Sequence, residues 1–173
     1  MKVFINPGHA PNGVPDPGAV SDVTGLRECD VALSVGKLVE HYLNAVGIET
    51  TVLQSDDLYE VCTEANNLDA DLFISIHCNS VESPYAEGTE TWYCAGSNDG
   101  KHLAECIQSQ IVDHLGTVDR ELRWQPRVRT DSMSSPIRIC QQSLWSLPLS
   151  PMRMMRDCLE MCRMSLREPL LAV

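Results

Sequence analysis

The sequence predicts an α/β domain, a mostly parallel sheet flanked by helices. Three observations carry that expectation. Short β-branched or apolar runs alternate with longer stretches whose apolar residues recur at spacings of three and four. The run Leu72-Phe73-Ile74-Ser75-Ile76 is apolar without in-and-out alternation, as a strand covered on both faces requires. Glycines stand where helices end, at Gly47 and Gly116.

Taken in order, Lys2–Asn6 reads as a short buried strand that runs into a Gly- and Pro-rich loop, Pro7–Ala19. From Glu28 to Val46, the residues Val31, Val35, Leu38, Val39, Tyr42, Leu43 and Val46 define one apolar helix face. Ile48–Leu53 is a β-branched strand. Ser55 is placed to cap a second helix with Leu58, Val61, Cys62, Ala65 and Leu68 inward. Asp71–His77 is the doubly buried strand, and Gly88–Cys94 another strand. Asn98 is placed to cap a third helix, Asp99–Leu115, with Leu103, Ile107, Ile111 and Leu115 inward.

Composition narrows the function classes. The 173 residues amount to one domain and carry a formal net charge of −11. Such a surface repels phosphates and argues against nucleic acid as partner. No stretch approaches the roughly 18 continuous apolar residues of a membrane span. Met1-Lys2 leads directly into the first strand, so no signal peptide is expected. Of the eight cysteines none forms a CxxC pair, and reduced thiols acting as small hydrophobes are expected. The domain is expected to be monomeric.

The chain changes character after Arg120. Residues 1–120 hold 19 acidic and 5 basic residues, whereas residues 121–173 hold 5 and 8. All 10 glycines precede the break and six of the seven methionines follow it. The tail lacks Gly, Lys, Phe, Tyr, Asn and His altogether, which deprives it of the residues that tight turns use. The division expected is therefore a domain over 1–120 and an aberrant tail over 121–173, leaving the sheet incomplete at its C-terminus.

Three side chains sit at ends of elements. His9 follows the first strand, Glu28 opens the first helix, and His77 closes the apolar strand. In open α/β sheets functional groups gather beyond the carboxyl ends of the strands. Two imidazoles and a carboxylate there form a three-ligand zinc site with an open fourth position. The alternative is that His9 is a loop donor, Glu28 a helix-terminal carboxylate and His77 a hydrogen-bonded strand end. Asp16 reads as a loop-ordering residue, Asn79 as a supporting or substrate-contacting donor, and His41, His102 and His114 as surface histidines.

The motifs around these residues occur in a fixed order: Ile5-Asn6-Pro7-Gly8-His9, Asp16-Pro17-Gly18-Ala19, Arg27-Glu28-Cys29-Asp30-Val31-Ala32, and Asp71-Leu72-Phe73-Ile74-Ser75-Ile76-His77-Cys78-Asn79. Together with Gly88-Thr89-Glu90-Thr91-Trp92-Tyr93 and Leu115-Gly116-Thr117-Val118-Asp119-Arg120, they resemble the zinc-dependent N-acetylmuramoyl-L-alanine amidases of the Amidase_3 type over about residues 2–120. The resemblance implies a twisted, largely parallel sheet and zinc held by His9, Glu28 and His77. It implies peptidoglycan as substrate, with hydrolysis of the amide between N-acetylmuramic acid and L-alanine. Only Asn79–Glu87 separate His77 from the next strand, which leaves no room for the occluding helix of some relatives, so an open site is expected.

The resemblance stops at the tail. The family continues from Asp-Arg into Gly, a strand, a strand carrying the general-base glutamate, an Asn/Asp-rich turn and a last helix. Residues 121–173 contain none of these, and neither Glu121, Glu160 nor Glu168 has the setting of that base. Synonymous codons can be chosen that place them in a neighbouring reading frame. Met152-Arg153-Met154-Met155-Arg156, written ATG-AGG-ATG-ATG-CGN, reads Asn-Glu-Asp-Asp-Ala one nucleotide over. Ser143–Pro148 yields Phe-Val-Glu-Leu-Ala, and Glu121–Trp124 yields Gly-Val-Lys-Val once a G is restored in front. These segments share one frame, so residues 121–173 read as an out-of-frame product of one lost nucleotide; the alternative is a divergent tail that supplies a base from elsewhere. Two functions follow: an active zinc amidase, or a zinc- and peptidoglycan-binding remnant with little turnover. A mononuclear zinc carboxypeptidase shares the metal chemistry but not the motifs.

Overall fold

The computed structural model describes residues 1–80 and 87–125, and the backbone of 136–141. These form a six-stranded sheet with helices on both faces. The elements are β1 (Lys2–Pro7), α1 (Glu28–Ala45), β2 (Glu49–Val52), α2 (Leu58–Asn67), β3 (Leu72–Cys78), β4 (Thr89–Cys94), α3 (Asn98–Leu115), β5 (Asp119–Gln125) and β6 (Pro136–Gln141). The strand order is β2-β1-β3-β6-β4-β5. All pairings are parallel except β4 with β6, so the sheet is mostly parallel, as the sequence predicts.

The alternation along β1 explains why it needs cover on both sides. Val3 and Ile5 pack with Ile74, Ile76, Ala32, Val39 and Leu43 under α1. Phe4, on the opposite face, packs with Val61 and Ala65 of α2 and with Phe73, whose ring stacks on Phe4 at 5.7 Å. Leu72 also meets Ile107 and Ile111, which places α3 on the α1 side of the sheet. There Gln108 accepts from Thr91 Oγ1 at 2.8 Å and donates to the Thr89 carbonyl at 2.9 Å.

Several local expectations are corrected. The cap of α2 is Asp57, whose carboxylate accepts from the Tyr59 and Glu60 amides. Ser55 instead donates to Glu60 Oε2 at 2.6 Å, because Asp57 stands directly before the first helical residue. Leu58 is exposed rather than inward, while Val61 and Ala65 are buried. Ser97, not Asn98, caps α3, accepting from the Gly100 amide. Gly116 ends α3 in the left-handed conformation, as expected.

The larger correction lies in the tail. The sequence leads one to expect a missing inner strand, yet β6 lies between β3 and β4, parallel to the first and antiparallel to the second. The physical reason is that a strand's place in a ladder is secured by backbone N–H and C=O groups, which any sequence offers. Pro136 takes the first position of the strand, where a missing donor is tolerated. Cys140, Cys158, Cys162, Glu160 and Glu168, and the helix expected over 152–167, lie among residues whose side chains or backbone are outside the described set.

Candidate metal centre

β1 and β3 are adjacent and parallel, so both deliver their following residues to one edge of the sheet. Gly8 continues β1 and donates its amide to the Ile76 carbonyl at 2.9 Å. A Cβ at Gly8 would lie 2.4 Å from the His77 ring, so no side chain fits there. His9 follows with φ of 68°, a left-handed conformation that a non-glycine residue adopts only when its surroundings enforce it. The enforcement is visible. Asp16 Oδ2 lies 2.8 Å from His9 Nδ1, and Asp16 Oδ1 accepts from the Gly18 amide at 2.9 Å. Asp16 thus orders the loop, as expected, and also orients the imidazole. Gln54, which sequence reasoning missed, ties the loop to the helix: its Nε2 donates to the Gly8 and Cys29 carbonyls at 3.1 and 2.9 Å.

Glu28 is the first residue of α1 and is buried, where the helix N-terminus favours a negative charge. Its Oε2 accepts from the Ala19 amide at 2.9 Å, and its Oε1 accepts from the Cys78 amide at 2.7 Å. That same Oε1 lies 2.9 Å from His9 Nε2 and 3.2 Å from His77 Nδ1. Burial pushes the Glu28 carboxyl up, but hydrogen bonds from His77 and from the Ala19 and Cys78 amides outweigh it and hold the pKa at about 2. Burial likewise pushes His9 down, and its contacts with Asp16 and Glu28 prevail, leaving it raised. Asp16 is lowered by its bonds to His9 and to the Gly18 amide.

The three ligand atoms offered by His9, Glu28 and His77 lie within 4.8 Å of one another. Two ligands each about 2.05 Å from one tetrahedral zinc ion stand about 3.3 Å apart. The two nitrogen–oxygen separations at Glu28 Oε1 are close to that edge. Nitrogen donors with one carboxylate suit zinc rather than calcium or magnesium, and the Asp16–His9 contact is the outer-shell pairing typical of a metal-ligating histidine. The residues therefore fit a zinc ion. Asn79 follows at the end of β3, with its Nδ2 donating to Glu90 Oε1 at 2.8 Å.

Among the other sequence-singled residues, His41 and His102 are exposed, and His114 is half-buried with Nδ1 at 3.0 Å from the Gln110 carbonyl. Of the five described cysteines, Cys29, Cys78 and Cys94 are buried and Cys62 and Cys106 half-buried. Glu121 donates its amide to Asp119 from the exposed strand β5. The expectation of an open site concerns residues 81–86, which lie outside the described set.

Comparison with known proteins gives a consistent picture. The family profile for N-acetylmuramoyl-L-alanine amidase matches residues 3–155. The chain is 39% identical over 127 residues to the N-acetylmuramoyl-L-alanine amidase LytC of Bacillus subtilis, covering 70% of this chain and 25% of that protein. It is also 39% identical over 127 residues to the uncharacterized protein YqiI of the same organism, covering 59% of it. The chain thus spans a quarter and about three fifths of these two relatives. Among solved structures, an N-acetylmuramoyl-L-alanine amidase from Clostridium difficile superposes with a TM-score of 0.77 at 26% identity, over 97% of this chain and 98% of that one. The amidase AmiC2 of Nostoc punctiforme superposes with a TM-score of 0.74 at 27% identity, over 96% and 98%.

Proposed function

This chain belongs to the N-acetylmuramoyl-L-alanine amidase family, and on that premise we propose that His9, Glu28 and His77 bind zinc and serve hydrolysis of the amide between N-acetylmuramic acid and L-alanine in peptidoglycan. The observation that carries the reading is the convergence of His9 Nε2 and His77 Nδ1 on one oxygen of a buried glutamate. When bound, zinc supplies a Lewis acid for the scissile carbonyl and the attacking water. The protein's own part is to hold the donors in place. Asp16 fixes His9 with Nε2 towards the centre, and the Ala19 and Cys78 amides fix both oxygens of Glu28. Asn79, at the lip, contacts the substrate. Metal analysis tests the assignment: wild type should hold about one zinc per chain and His77→Ala none, and equal zinc in both would refute it.

Turnover also needs a group that takes a proton from water and returns it to the departing amine. Among the described residues of 121–141 the one carboxylate is Glu121, which is exposed on β5 and donates its backbone amide to Asp119, so it lacks that setting. This favours a second reading, in which the chain as written binds zinc and peptidoglycan with slow turnover. We assign the deficit to residues 121–173 as an aberrant tail on a 1–120 catalytic domain, produced by a lost nucleotide after codon 120. The nucleotide sequence at that codon tests it.

A further inference from the structure

We propose that Glu90 is a positioning residue that aims Asn79 Oδ1 at a peptide N–H on the leaving side of the scissile amide. The proposal rests on the amidase reading and deepens it.

The sheet brings the two residues together. β6 is parallel to β3 and β4 is antiparallel to β6, so β4 begins at the edge where β3 ends. In register, His77 pairs with Cys140 and Cys140 with Glu90. Paired positions share a face, so Glu90 stands on the His77 face two strands away, about 10 Å by the inter-strand spacing. Asn79 reaches across that gap.

Asn79 is held from two directions. The preceding amide, that of Cys78, is bonded to Glu28 Oε1 within the metal centre. Its side-chain Nδ2 donates to Glu90 Oε1 at 2.8 Å. The same oxygen accepts from Trp92 Nε1 at 3.0 Å, and Arg120 Nε lies 3.6 Å from Glu90 Oε2 as counter-charge. Glu90 is itself buried, at 7% exposure. A carboxylate at this place costs desolvation that a neutral side chain would not, yet it does one thing a neutral amide cannot. It only accepts, so it admits only the NH₂ end of Asn79. The carbonyl end, Oδ1, is then turned away from Glu90 as a fixed acceptor beside the zinc ligands. A peptide leaving a cleaved amide offers backbone N–H groups, which match that acceptor. A glutamine at position 90 could present its own NH₂ and let the Asn79 amide rotate.

The test uses the full zinc-loaded chain and two uncleavable muramoyl dipeptide analogues, both with a ketomethylene in place of the scissile amide. In one the next backbone link is an amide; in the other it is an ester, which lacks the N–H. Wild type should bind the amide analogue about 10-fold more tightly than the ester, the discrimination expected of one hydrogen bond in a sheltered site. Asn79→Ala and Glu90→Gln should each bind both analogues alike, with zinc stoichiometry unchanged, and the Trp92 indole N–H resonance should shift in Glu90→Gln. If Glu90→Gln does not fold, Asn79→Ala alone decides. Variants that discriminate as wild type does would overturn the assignment while leaving the amidase reading intact. A zinc-loaded wild type that binds neither analogue would overturn the amidase reading and this assignment with it.

Discussion

The two halves of the sheet are held by different forces. In the β2-β1-β3 half, side chains specify the place of each strand. Phe4 and Ile5 face opposite helices, Ser75 donates to Asn6 across the pair at 3.0 Å, and Asn6 in turn donates to the Leu53 carbonyl. In the β6-β4-β5 half, β4 is tied to α3 through Thr89, Thr91 and Gln108, but β5 lies largely exposed, with Trp124 at 62%. Two polar contacts near its start, Gln108 to Asp119 and Arg120 to Glu90, join backbone pairing in holding β5. The contrast teaches that a ladder can accept a strand without the sequence that a core demands. Chemistry concentrates where side chains do the specifying.

The largest test targets the proposed frame loss. If residues 121–173 are out of frame, inserting one G after codon 120 replaces Glu121 by Gly and brings the Val-Glu-Leu-Ala-Phe segment into the chain. Release of muramoyl-linked peptide should rise by about 10²–10⁴-fold, the typical value of general acid–base help. Unchanged turnover would mean that the second half is complete as it stands. Next, Phe4→Ala should cost about 3–5 kcal/mol of stability, as deletion of a buried aromatic ring does, whereas Trp124→Ala should cost under about 0.5 kcal/mol. Equal losses in urea denaturation would erase the contrast between the halves.

A smaller effect sharpens the first half. Asp16→Ala should weaken zinc binding by about 10–100-fold, measured by competition with a chelator, because the His9 ring loses its outer partner. The smallest effect concerns pH in the metal-free protein. Glu28 is lowered from 4.5 to about 2, so its contribution is complete above about pH 4.5 and is lost as pH falls towards 2. His9 is raised from 6.5, so its contribution is complete below that value and is lost as pH climbs through the raised one. The melting temperature of the metal-free chain should therefore fall on both sides of this window, and Glu28→Gln should flatten the acid side.

How far the sequence could be read follows the same division. The spacing of Val35, Val39 and Leu43, and the apolar run of β3, announce their elements because burial imposes a period. His9, Glu28 and His77 were legible as strand and helix ends. Their supports were less so: Gln54 was missed, and Asp16, read as a loop-ordering residue, also orients His9 through a contact closed by the loop conformation. Glu90 was legible as part of a strand motif, but its partnership with Asn79 depends on the antiparallel entry of β4, which no local pattern encodes. β6 was illegible for a deeper reason, since backbone groups carry no sequence signature.

The three proposed ligands all lie within the first 80 residues, just past β1, on α1 and on β3, and β1 pairs directly with β3. A ribosome delivers this unit before any residue past 120 is made, and domains generally condense from the N-terminal side during synthesis. The metal centre is thus sealed off from the fate of the message downstream. On the proposed reading, a lesion there would cost turnover and leave ion capture intact, so selection for holding zinc would not see it and selection for cutting the wall would.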